Sequence, residues 1–393
     1  LAVNGGKLAI TLTGARSIGI EQNRTDMKIT GGTATITVKG SHDCRGISGG
    51  GVEVSGGKLT VDVEILGDSS RIDTYAVYIP SGSLTVNGGE FNIIGKQVRY
   101  GIYDPTWITV DGGTLKVDIT RTGGERGAIG VYYGSSFACS VKNGGTLNID
   151  VKAVADSDGN SGGAKGLVCK TLEVEEGSTA TITAKSAWKA DSVELEHITC
   201  DGTVNLKAET ERGTVSASAS NTINVWGKGT LNVNVQGKFA YPFYNVKFNG
   251  TDGATPLTVT THAKSTVADG VAYLNSGQVT TTGNVNVTMT VESAVPGARA
   301  YGIQNSMSLN HTAGSITLKA AAGTTLETQL TGSVSYDAAK IAVTGNPNGK
   351  DFVTYTATSA DALLISNTSG GAVTLYQNTE LSTDELTFTA SGG

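Results

Sequence analysis

SLTVNGGEFNI, residues 83–93, alternates like a half-buried strand and then breaks at Gly88 and Gly89. Leu84 and Val86 stand before the break, Phe91 and Ile93 after it. Two adjacent glycines weaken a strand interior. The pair therefore reads as a corner between two short strands, where glycine permits positive φ or close backbone approach. Asn87, just before it, belongs to the residues that form local turns.

The same pattern recurs along the chain. LAVNGGKLAITL opens it at Leu1, followed by MKITGGTATITV at Met27, VEVSGGKLTVDV at Val52, ITVDGGTLKVDI at Ile108 and VKNGGTLNIDV at Val141. Weaker copies begin at Leu172, Ile223 and Leu309. Glycine anchors run from Gly5 to Gly370 at about 28 residues apiece, a period typical of solenoids, propellers and arrays.

A second motif lies between the corners: SIGIEQ, CRGIS, YAVYI, YGIYD, IGVYY, KGLVC, DGVAYL and YGIQN. Each unit is thus strand, glycine corner, strand, variable loop, short strand. The spacing from this motif to the next corner is nearly constant. The spacing from corner to motif varies, so insertions gather in one loop per rung, along one edge. Three short strands per unit predict an all-β chain folded as a right-handed parallel β-helix, a β-solenoid of about fourteen rungs. A propeller would need about four strands per blade. Residues 1–325 read as regular β-helix, and 326–393 as degenerate terminal rungs or a small β cap continuing the solenoid.

The chain has 393 residues and a net charge of −6. Its basic residues are scattered, which excludes the basic stripe of a nucleic-acid binder. It lacks the ~18 consecutive apolar residues of a membrane span. It begins inside a repeat, as a trimmed or mature fragment would. Low charge with abundant Thr and Asn points to an extracellular or cell-surface protein. Cys44, Cys139, Cys169 and Cys200 form no CxxC pair and read as buried small hydrophobes, with a disulfide as the alternative.

At LTVNGG…GIY the sequence resembles bacterial β-helix surface proteins of clostridia and other gut Firmicutes that are described as carbohydrate-binding. The resemblance implies a right-handed parallel β-helix, and for some members binding of acidic plant polysaccharides with calcium. The family's acidic pair before Gly-Ile is mostly replaced here, by Ile18, Arg45, Tyr75, Tyr100 or Lys165; only Asp269 fits.

Two sets of candidate site residues follow. Tyr78, Tyr103 and Tyr132 each lie two residues after the second anchor in consecutive rungs. With Val77, Ile102 and Val131 pointing inward, they should form an outward ladder, with Tyr75 and Tyr100 beside it and Trp107 and Tyr133 nearby. Tyrosines in a row suit contact with sugar rings, and equally suit packing between rungs. Mixed charges, among them Arg121 and Lys165, are expected along the same edge. Separately, Asp156, Asp158 and Asn160 in ADSDGN resemble half of a calcium loop, the single cofactor the sequence suggests. Catalysis would need clustered carboxylates, whereas Glu90, Asp118 and Asp150 read as dispersed.

The leading expectation is a non-catalytic glycan-binding or adhesin-type surface protein whose partner is a polysaccharide or cell-surface glycan. Two alternatives stand beside it. One is a structural subunit stacking end to end on its own copies into a fibre. The other is a polysaccharide lyase or hydrolase.

Overall fold

The computed structural model describes all residues except 24, 67–73, 124–126, 134–137, 156–161, 329, 346–351, 359–361, 368–384 and 391–393, and only the backbone of 362–367 and 385–390. Among the described residues, all helix and strand structure is strand. Each rung contributes a strand before the glycine corner, a longer strand after it, and a short strand at the second motif. Strands of each kind stack in parallel on their counterparts one rung away. We call the third stack the ladder sheet. It has eleven strands, from Ile18–Glu21 to Arg299–Ile303.

The chain is therefore an all-β parallel solenoid of about eleven turns, not fourteen. One glycine counted as an anchor marks no parallel rung. Gly345 ends a strand, Ile341–Gly345, that pairs antiparallel with Phe352–Ala357. Gly370 lies outside the described residues. In the main stack parallel order persists as far as Val334–Tyr336 on Met307–Leu309, and Ala362–Asn367 pairs parallel with Glu385–Ala390 in a separate two-stranded sheet. Phe352–Ala357 then runs antiparallel against Lys319–Ser315 of the last long strand. Near this end the corner itself opens, and Val279–Ser293 and Met307–Ala320 each pass through it as one strand.

The glycine pair does what its sequence position implies. Gly89 has φ +71°, and a Cβ there would lie 2.6 Å from the Gly57 carbonyl oxygen of the previous rung. Only glycine lets the corners stack this closely. Inside, equivalent side chains form continuous columns: Leu59, Phe91, Leu115 and Leu147 are in register and buried. Each column buries apolar area on every rung at ~25 cal/mol per Å², which compensates for the scarcity of local contacts in a solenoid.

Polar columns line the outside. Glu90 sits between Lys58 at 3.3 Å and Lys116 at 3.1 Å. Hydrogen bonds from Asn92 and Lys116, then Lys58, hold its carboxyl down at about 2. A depressed carboxylate stabilises the fold above its unfolded pKa and loses that contribution as pH falls through the folded value. Wild-type protein should therefore lose melting temperature between about pH 5 and pH 2 more steeply than Glu90→Gln. Parallel acid-titration curves for the two proteins would refute this role of Glu90.

Two sequence expectations about charge are corrected. Asp118 and Asp150 are not dispersed: they face each other across adjacent rungs, because each stands at the same distance from its own corner. Burial, and then the neighbouring Asp118, raise the Asp150 carboxyl above its usual range. Arg121 is not a surface charge along the ladder edge; it is 2 % exposed, in an inward position opposite Ala153. All four cysteines are free and buried. Burial pushes the Cys139 and Cys200 thiols up to about 12, so they are inert packing residues at neutral pH.

Candidate functional site: the outer face of the ladder sheet

The short strands of this sheet carry a glycine or other small residue facing the post-corner strand. At Gly101 a Cβ would meet Val117 Cγ1 at 2.6 Å and the Gly130 carbonyl oxygen at 2.5 Å. This close approach fixes the register of the strand. The residue after the glycine, Val77 (after Ala76), Ile102 or Val131, is fully buried. The residues on either side of this small-residue and apolar pair face outward.

Two outward columns result. One reads Arg45, Tyr75, Tyr100, Ile129, Lys165, Asp191, Ser216 and Tyr241, and continues to Tyr273 and Tyr301. The other reads Ser48, Tyr78, Tyr103, Tyr132, Val168 and Glu194. The five sequence-selected tyrosines, Tyr75, Tyr78, Tyr100, Tyr103 and Tyr132, therefore share one patch. Their rings are in mutual contact: Tyr75 stacks on Tyr100 at 5.4 Å and 12°, and Tyr103 on Tyr132 at 5.3 Å and 9°. Across the columns, Tyr100 and Tyr103 meet edge to face at 4.7 Å. Such pairs add about 0.5–1.5 kcal/mol each beyond area burial. Tyr100 is buried, while the other four are half-buried.

Stacking along the axis turns ring faces toward neighbouring rings. At one end the Arg45 guanidinium lies 4.9 Å from the Tyr78 ring centre. At the other, Tyr132 forms a wall of a groove of about 240 Å³, shared with Tyr133, Val168, Lys170, Glu194 and Glu196. The patch presents ring edges and hydroxyls along its length, with an aromatic wall at this groove. Tyr133 is not part of the outer ladder: it is 1 % exposed. Burial, with Cys139 and Cys169 alongside, pushes its hydroxyl far above the ordinary tyrosine range. Trp107 is exposed beside the sheet.

The middle of the face is polar. Lys165 pairs with Glu194. Asp191 is 2 % exposed, accepts a 2.5 Å hydrogen bond from Ser216 Oγ, and has Lys189 Nζ at 3.8 Å. Burial raises its carboxyl above the usual range, against the pull of Ser216 and the two lysines. Sequence reasoning missed Asp191, Glu194, Tyr241, Tyr273 and Tyr301 as site residues. Tyr273 and Tyr301 stack at 5.6 Å, giving the same face a second aromatic patch toward its other end.

The calcium candidates Asp156, Asp158 and Asn160 lie outside the described residues. Among the described residues, no group of three or more His, Cys, Asp or Glu side chains is placed to hold a metal ion. The fold and face define a parallel β-solenoid with an aromatic-flanked polar surface. No family model, curated protein or solved structure matches the chain.

Proposed function

We propose that this is a non-catalytic, extracellular glycan-binding protein of the adhesin type, holding an extended polysaccharide along the ladder sheet. The observation that carries the reading is the row of contacting tyrosines on consecutive rungs, Tyr75 and Tyr78, Tyr100 and Tyr103, then Tyr132, followed on the same face by a polar stretch. Parallel rungs advance by ~4.8 Å, close to the advance of one sugar ring in an extended chain. Successive rungs thus set successive side chains at about the spacing of successive sugars, aromatic first and then polar. Tyrosine edges and hydroxyls suit sugar hydroxyls, and the Tyr132 wall suits a ring face. The low net charge and the Thr- and Asn-rich composition favour a surface location.

The test is retention on immobilised pectin, xylan, mannan, cellulose, chitin and mucin, with calcium and with chelator, together with assay of released sugar ends. Retention without release supports the proposal, and loss in chelator would implicate calcium. Release of sugar ends would favour a lyase or hydrolase acting through the groove carboxylates. Retention on none of the six would overturn the glycan reading in favour of a structural subunit.

A further inference from the structure

Across the ladder sheet from the Tyr132 groove lies a second cavity, of about 220 Å³, lined by Arg99, Ile129, Ala164, Lys165, Lys189 and Asp191. Its chemistry is unusually specific. Asp191 Oδ1 is engaged by Ser216, but Oδ2 is buried and accepts no hydrogen bond. The Lys189 ammonium at 3.8 Å is beyond hydrogen-bonding distance. A buried acceptor without a donor is costly, and none of the described residues donates to this oxygen, so it is placed to receive a donor from a ligand.

The cavity restricts what that donor is. Arg99, Lys165 and Lys189 line it, and even with Lys165 paired to Glu194 the cations outnumber the carboxylates, so an ammonium donor is disfavoured. A carboxylate or sulfate would suit the cations but would meet the Asp191 carboxylate. A neutral N–H satisfies Asp191 without either conflict. The lysines favour an acceptor next to that donor. Ile129 and the glycines Gly127 and Gly163 favour a small apolar group on the remaining side. We propose that this cavity is the subsite for the acetamido group of an N-acetylhexosamine. Its N–H donates to Asp191 Oδ2, its carbonyl oxygen accepts from Lys165 or Lys189, and its methyl packs on Ile129 between the two glycines. This rests on the glycan-binding reading and names the sugar class for it.

Calorimetric titration of the native protein with chitotetraose, cellotetraose, the de-N-acetylated chitotetraose and tetragalacturonate tests the subsite. Chitotetraose should bind about ten- to a hundred-fold tighter than the other three, because they lack the paired donor and methyl. Asp191→Asn should erase that preference while cellotetraose affinity stays within about two-fold. The ligand series needs no variant, so a folding defect in Asp191→Asn leaves the test intact. Equal affinity for chitotetraose and cellotetraose, or preference for the galacturonate, overturns the subsite alone. Absence of binding to every glycan in the wider retention test overturns the glycan reading beneath it as well.

Discussion

Gly101→Val should unfold the solenoid or cost about 4 kcal/mol, at the exceptional end of single substitutions. The reason is steric and sits in the backbone. A Cβ at Gly101 would lie 2.5 Å from the Gly130 carbonyl oxygen, 2.6 Å from Val117 Cγ1 and 2.9 Å from Ile119 Cδ1. The carbonyl belongs to the next rung, whose own register is set by Gly130 in the same way. There the clashing groups would be Ile149 Cγ2 at 2.4 Å and the Gly166 oxygen at 2.7 Å. Relief at one rung therefore displaces the next. Gly144→Ala makes the control. It has φ +76° but nothing within 4 Å of its Cβ, so it should cost only about 1 kcal/mol of backbone strain. Urea midpoints followed by circular dichroism measure both. A Gly101→Val midpoint equal to wild type would show that the ladder strands do not depend on this close approach.

That contrast also explains how much of the molecule was legible in its sequence. Period-2 alternation around a repeating glycine pair was enough for the parallel solenoid, since inward columns demand the same residue class at each rung. Rung number was less legible. A glycine between two apolar runs looks the same whether the chain turns a solenoid corner, as at Gly89, or ends a strand of an antiparallel pair, as at Gly345. The tyrosines at 78, 103 and 132 were visible because each keeps a fixed distance from a recognisable small-residue anchor. Asp191 was not, because its rung replaces the anchor glycine with Ser192 and the next rung replaces it with Ala217. Without the anchor, register across variable loops has no sequence marker, and the polar centre of the face stayed hidden. Ring tilt was likewise illegible: sequence places a tyrosine on a face, but mutual stacking decides whether its flat side meets ligand or neighbour.

Tyr132→Ala should weaken glycan binding by about 2 kcal/mol, ~thirty-fold in Kd, while Tyr100→Ala should chiefly lower stability. The two rings belong to the same patch but stand in different surroundings. Tyr100 is buried, with Tyr75 at 5.4 Å, Tyr103 at 4.7 Å, Tyr132 at 5.6 Å and the Arg99 guanidinium at 4.8 Å. Removing it empties a packed site, at about 3 kcal/mol. Tyr132 stacks on Tyr103 and also walls the groove with Glu194 and Glu196. Its removal takes less packing and more of the surface a sugar would meet. Melting temperature and glycan affinity, measured on both variants, separate the two roles. If affinity falls in both only in proportion to lost stability, the ladder is packing between rungs. If Tyr132→Ala loses binding with its fold intact, the ladder ends in the wall of a binding site, and the stacked rings behind it hold that wall in place.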